Sequence, residues 1–127
     1  MVSAVAYLHA QGIVHGDIKP HNIHFRSADD DVIKLIDFGT TRKINADHEM
    51  HGVYGTSYFM APEVIERNYS EKCDVWSCGV ILYMLISGKP AFDGRDDKEV
   101  VKNISNGKFE LDSDIWSIMS PELKDLV

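Results

Sequence analysis

The chain of 127 residues carries 13 Lys and Arg against 20 Asp and Glu, a formal net charge of −7, and its pI is near 5.2. That length holds one domain at most, and a composition of 44% hydrophobic and 26% charged residues excludes a disordered, collagen-like or repeat chain. The acidic balance, without any cluster of Lys and Arg, weighs against a nucleic-acid binder or a polybasic membrane-surface module.

In chain order, Val2, Val5, Ala6, Tyr7 and Leu8 recur at near-helical spacing and predict a helix over residues 2–10, with Gly12 as its stop. A Pro- and His-rich loop follows at 14–22. Two short apolar stretches, Ile23 to Arg26 and Val32 to Ile36, flank the turn-forming Ser27-Ala28-Asp29-Asp30-Asp31 and predict a β-hairpin. Residues 37–60 show little periodicity and predict a long loop, which in a compact domain is usually functional. After Pro62 the pattern is helical: a short turn from Glu63, an apolar helix from about Asp74 to Ser87, and a helix near 97–106. The last of these has a capping-box signature, Asp96 with Glu99, and Gly107 as its stop. Ser120-Pro121-Glu122 opens a final helix with Ser as N-cap and Pro at the first helical position. Its apolar positions Leu123, Leu126 and Val127 fall at the end of the sequence, which predicts that the native polypeptide continues.

The twelve-residue run from Val75 to Ile86 is well short of the roughly 20 residues a membrane-spanning helix needs, and predicts a buried core helix instead. Residues 1–10 lack the basic flank and apolar stretch of a secretory signal. Cys73 and Cys78 suit neither a disulfide framework nor a zinc pair. The expectation is a cytoplasmic chain with reduced thiols.

If the predicted hairpin pairs antiparallel, Asn22 before its first strand and Asp37 after its second become neighbours. A carboxylate and an amide oxygen that leave room for water and phosphate oxygens suit Mg²⁺ rather than a calcium cage. Asp17 and Lys19, a carboxylate and an ammonium, lie just upstream in the same loop. The spacing therefore gathers a base, a phosphate-neutralising cation and a metal pair at one site.

His15-Gly16-Asp17-Ile18-Lys19-Pro20-His21-Asn22, Asp37-Phe38-Gly39 and Ala61-Pro62-Glu63 resemble, in order and spacing, the catalytic loop, the metal loop and the end of the activation segment of eukaryotic protein kinases. Asp74-Val75-Trp76-Ser77 and Gly79 fall at the next family landmark, and Glu71 to Tyr83 is most similar to calcium-dependent and calmodulin-dependent kinases. The resemblance covers residues 1–127. It implies a mainly α fold with a small β-hairpin, the C-terminal lobe of a kinase domain: catalytic loop 14–22, metal loop and activation segment 37–63, helical subdomain 64–127. The N-terminal lobe and the end of the C-terminal lobe would lie outside the chain.

Carried over residue by residue, the resemblance makes Asp17 the acceptor of the substrate hydroxyl proton and Lys19 the cation that neutralises the transferring phosphoryl group. Asn22 and Asp37 would hold Mg²⁺ against the ATP phosphates. Thr56, in Gly55-Thr56-Ser57-Tyr58-Phe59-Met60, resembles the threonine that bonds both catalytic Asp and Lys in Ser/Thr kinases. His24 would lie under the adenine ring. His15, Phe38, Gly39, Glu63 and Asp74 would be structural supports. The implied cofactors are ATP and Mg²⁺ and the implied partners are protein substrates carrying Ser or Thr. Calcium-sensing EF-hands, if the parent has them, would lie beyond the chain; neither nucleic acid nor a membrane span is expected.

Plainer readings compete at several positions. Asp17 alone could cap a loop, and Asp74 alone could be an N-cap. Asp29-Asp30-Asp31 lacks the Gly and Glu of an EF-hand loop and reads as a solvated turn. His48-Glu49-Met50-His51 is one residue short of the zinc motif HExxH. Asn68-Tyr69-Ser70 and Asn103-Ile104-Ser105 match the glycosylation sequon only formally.

The sequence also departs from the family. Gly16 replaces an Arg that clamps a phosphorylated activation loop, and Gly52 stands where the acceptor would be, so activity is not expected to depend on phosphorylation there. His21 replaces a Glu that reads a basic substrate residue, and His24 replaces an aliphatic one. The Gly-rich loop, the strand Lys and its partner Glu are not among these residues, so the chain alone is expected to be inactive. Glu63 is expected to lack the downstream Arg that pairs with it. The rival to a kinase is a pseudokinase lobe that binds without phosphotransfer.

Overall fold

The computed structural model describes residues 1–44, 50, 52, 56–107, 109–111 and 114–127. Among these residues six α-helices and four short strands follow in the order α1 (Val2–Ala10), β1 (Ile13–Val14), β2 (Ile23–Phe25), β3 (Ile33–Leu35), β4 (Arg42–Lys43), α2 (Pro62–Ile65), α3 (Lys72–Ser87), α4 (Asp97–Ser105), α5 (Asp114–Ser117) and α6 (Pro121–Leu126). Single 3₁₀ turns occupy Pro20–Asn22 and Ser57–Phe59. The fold is mainly helical with small antiparallel ribbons, as the sequence implies.

The hairpin forms as the alternation predicts. β2 and β3 pair antiparallel with Ile23 opposite Leu35, His24 opposite Lys34 and Phe25 opposite Ile33. The period of two turns Ile23 and Leu35 onto the core and leaves His24 and Lys34 exposed. Asp30 closes the turn by accepting the Val32 N–H at 2.7 Å and by pairing with Arg26.

A second ribbon was not legible in the sequence. β1 pairs with β4 antiparallel, Ile13 opposite Lys43 and Val14 opposite Arg42. It ties the entrance of the 14–22 loop to the segment after Gly39, inside what the sequence predicts as an unbroken loop.

α3 is the centre of the helical part. Its buried side chains include Cys73, Asp74, Ser77, Cys78, Val80, Ile81 and Tyr83. Val75 and Leu85, 52% and 76% exposed, leave one side open to solvent, so the helix is half-covered rather than engulfed. Around it pack Val5 of α1, Ile18, Phe59, Phe92 and the α4 residues Val100 and Ile104. Each fully buried aliphatic side chain contributes roughly 1.5–3 kcal/mol. Trp76 stacks on Phe92 at 5.7 Å, and Tyr83 leans on the buried Trp116 of α5 at 5.1 Å.

α4 starts where its cap predicts: Asp96 accepts the Glu99 N–H at 2.9 Å. The reciprocal arm of the box is displaced by one residue, since Glu99 takes the N–H of Arg95 at 2.9 Å and its Nε at 2.8 Å. Gly94 makes this approach possible, because a Cβ there would lie 2.7 Å from the Val100 backbone nitrogen. α6 is capped by Ser120, which accepts the Leu123 N–H at 3.2 Å. An open apolar groove of about 370 Å³, lined by residues such as Val75, Trp76, Phe92, Phe109 and Leu126, lies between α3 and the end of α6. No helix among the described residues is long and apolar enough to cross a membrane.

Candidate active site

The site is built on the loop between β1 and β2. Asp17 sits in it with its side chain 9% exposed, and four donors converge on its carboxylate. Oδ2 accepts from Lys19 Nζ at 2.6 Å and from Asn22 Nδ2 at 3.2 Å. Oδ1 accepts from the Thr56 N–H at 3.1 Å and from the Thr56 hydroxyl at 3.2 Å. The Thr56 hydroxyl in turn accepts from Lys19 Nζ at 2.8 Å. Asp17, Lys19 and Thr56 thus form one closed hydrogen-bonded ring across 39 residues of sequence. Asn22 also donates to the Asp17 carbonyl at 2.8 Å, which stops the loop from opening.

Burial pushes the Asp17 carboxyl up, but the bond and charge of Lys19, with help from Thr56 and Asn22, hold it below its ordinary value of 3.8. The group is therefore an ionised acceptor at neutral pH. A carboxyl whose pKa falls on folding stabilises the fold fully above its unfolded value and loses that contribution as the pH drops through the lower folded value. In acid titrations of the full-length protein, wild type should lose more stability than Asp17→Asn as the pH falls from about 4 downward. Parallel curves would count against this coupling.

The loop is held from beneath by Asp74, which is 1% exposed. Its Oδ1 accepts the Gly16 N–H at 2.9 Å, and its Oδ2 accepts the His15 N–H at 2.9 Å and meets His9 Nε2 at 2.9 Å. The reading of Asp74 as a helix N-cap is corrected here: α3 begins at Lys72 after Glu71, so Asp74 is its third residue and spends its carboxylate on the loop. Gly16 has φ +79°, and a Cβ there would approach the Thr40 carbonyl to 3.3 Å, so glycine relaxes this bend. His9 was not legible as part of the site; the one signal it carried was a basic residue in the last turn of α1.

His15, fully buried, links the two loops. Its Nδ1 accepts the Asp17 N–H at 3.3 Å and its Nε2 donates to the Ile36 carbonyl at 3.1 Å. The Phe38 ring lies 5.1 Å from the imidazole. The hairpin brings Asn22 beside the strand that leads to Asp37, with the Ile36 N–H donating to the Asn22 carbonyl at 3.0 Å. Asp37 follows at φ +63°, exposed. Its Oδ1 accepts the Gly39 N–H at 3.2 Å, which leaves Oδ2 for another partner. Both bonds of the Asn22 side chain use its nitrogen, so Oδ1 is also available. The exposed Asp37 carboxylate and the amide oxygen of the buried Asn22 are hard oxygens of the kind Mg²⁺ takes; no group of three His, Cys, Asp or Glu side chains forms a metal cage among the described residues.

Other predicted residues lie further out. His24 is exposed on β2, its Nε2 3.0 Å from the His21 carbonyl. Glu63, in the first turn of α2, lines the groove beside Lys72 and Trp76 and makes no ion pair among the described residues. Gly52 is described, but His48, Glu49, His51 and Gly55 lie outside the described residues. Asn103 is no free sequon, since its side chain donates to the Asp93 carbonyl at 2.7 Å. Cys73 and Cys78 are buried and unpaired; burial, then the nearby Asp74 charge, pushes Cys78 up to about 11 and Cys73 higher still.

Residues 1–127 match the family described as the protein kinase domain. Calcium-dependent protein kinase 5 of Plasmodium berghei (strain Anka) is 42% identical over 126 residues, covering 98% of this chain and 22% of that protein. Calcium-dependent protein kinase 4 of the same species is 40% identical over 129 residues, 100% of this chain and 24% of that protein. The CDPK-related protein kinase of Daucus carota is 38% identical over 128 residues, 100% of this chain and 21% of that protein. The chain thus spans less than a quarter of the length of these relatives.

Proposed function

Because this chain belongs to the protein kinase domain family, we propose that the protein containing it transfers the γ-phosphate of ATP to Ser and Thr hydroxyls of protein substrates. The observation that carries the reading is the ring of Asp17, Lys19 and Thr56 beside Asn22. Its calcium dependence and cytoplasmic location belong to the same proposal, supported respectively by the calcium-dependent relatives and by two buried, unpaired cysteines.

The residues divide the work by chemistry. The Asp17 carboxylate orients the acceptor hydroxyl and takes its proton. All four of its acceptor positions are filled at rest, so an incoming hydroxyl must displace a donor, and the two 3.2 Å bonds, from Thr56 Oγ1 and Asn22 Nδ2, are the weaker ones to replace. Lys19 has three N–H donors and spends two on Asp17 and Thr56, which leaves the third for a phosphoryl oxygen. Asn22 Oδ1 and Asp37 Oδ2 would hold Mg²⁺. When bound, Mg²⁺ neutralises the phosphates and orients ATP.

The test is transfer of labelled γ-phosphate from ATP by the full-length protein to a pool of Ser-, Thr- and Tyr-containing peptides. Label on Ser and Thr, lost on metal chelation and retained after phosphatase treatment of the enzyme, is the expected result. Nucleotide binding without transfer would instead support the pseudokinase reading, which the exposed imidazole of His24 favours. Desolvating that imidazole under an adenine ring costs about 1 kcal/mol more than an aliphatic group. His24→Leu should therefore tighten ATP binding roughly three- to tenfold by calorimetry; equal or weaker affinity removes this role for His24.

A further inference from the structure

The 3₁₀ turn Ser57–Phe59 follows directly on Thr56 and is fastened at both ends. At its C-terminal end the Phe59 carbonyl accepts the buried Ser77 hydroxyl of α3 at 2.8 Å, and the Phe59 side chain is in the core. At its N-terminal end the Ser57 hydroxyl donates to Asp97 Oδ1, the first residue of α4, at 2.8 Å across 40 residues of sequence. Asp97 stands on a fixed platform. The Asp96 cap, the Glu99 clasp on Arg95 and the close approach of Gly94 define the first turn of α4, and Val100 and Ile104 anchor its other face in the core.

We propose that Ser57 and Asp97 are a positioning pair for phosphotransfer, an inference that rests on the functional reading above. At rest Thr56 presents two groups to Asp17 at once, its N–H and its hydroxyl, while its hydroxyl also receives Lys19. That requires the Thr56 backbone to be fixed in both position and rotation. Phe59 and Ser77 fix one end of the turn, three residues away. The Ser57–Asp97 bond fixes the end adjoining Thr56. A hydroxyl bonded to a carboxylate is stronger than a neutral pair, and here it couples the start of α4 to the carboxylate that receives the substrate proton. Neither residue touches the reacting atoms; both act through Thr56.

The experiment uses Ser57→Ala, Asp97→Ala, the double variant and Ser57→Thr in the full-length protein. Each single alanine variant should lower kcat for peptide phosphorylation about three- to tenfold with KM for ATP unchanged. The double variant should be no worse than the worse single one, because both remove the same bond. Ser57→Thr, which keeps the hydroxyl, should restore kcat. A second readout needs no activity: both alanine variants should speed amide hydrogen exchange at Thr56 about tenfold. Unchanged kcat and exchange, or losses that multiply in the double variant, overturn the inference. If the wild type transfers no phosphate, the functional reading fails, and the Thr56 exchange rate alone then decides whether the pair positions it.

Discussion

Asp17→Asn should lower phosphotransfer by the full-length protein about 10²–10⁴-fold, the usual worth of a positioned proton acceptor. The substitution is nearly isosteric, yet it changes the site in two ways. An amide oxygen is too weak a base to take a hydroxyl proton. The new NH₂ group must also face either Lys19 or the two Thr56 donors, all of which need an acceptor. Rate constants for single-turnover phosphorylation of a Ser peptide, with ATP affinity measured separately, test this. Equal rates for wild type and variant would remove Asp17 from the chemistry. Loss of ATP affinity without loss of rate would place it among the binding groups instead.

The second large effect is structural. Asp74→Ala should destabilise the fold by about 3–5 kcal/mol, in the range seen when one partner of a buried, hydrogen-bonded charge is removed. Two backbone N–H groups, from His15 and Gly16, and the His9 ring lose their acceptor together. An unsatisfied buried donor costs about 1–3 kcal/mol by itself. Denaturant midpoints at constant m-value measure the loss. A double-mutant cycle with His9→Ala separates the imidazole from the two N–H groups. A change below about 1 kcal/mol would mean that the 14–22 loop holds its shape without Asp74.

Much of this arrangement is legible in the sequence. The hairpin followed from two alternating segments about an Asp-rich turn, and with it the placement of Asn22 beside the strand that leads to Asp37. α4 and α6 followed from Asp96 and Ser120, residues whose side chains accept helix N–H groups where the sequence puts them. β1 and β4 were not legible because two residues carry no period, and their pairing is decided by loops that tertiary contacts bring together. α5, four residues long, is likewise set by Trp116 burying against Tyr83 rather than by a pattern of its own. His9 escaped notice because a histidine on a helix has no spacing that announces a buried partner 65 residues away.

The β1–β4 ribbon also bears on how the site comes into being. It joins Val14 to Arg42, 28 residues apart, whereas the β2–β3 hairpin joins Phe25 to Ile33, 8 apart. Closing the longer loop in an unstructured chain costs about 1 kcal/mol more in entropy. Once the hairpin has formed, most of the intervening segment is already folded back on itself and the remaining closure is cheap. The less costly order is hairpin first, ribbon second, and the ribbon, together with the Thr40 hydroxyl that donates to the His15 carbonyl, brings the entrance of the 14–22 loop against the segment that follows Asp37 and Gly39. Asn22 and Asp37 are then preset as neighbours by a local closure, whereas Asp17 and Thr56, 39 residues apart, need a longer one.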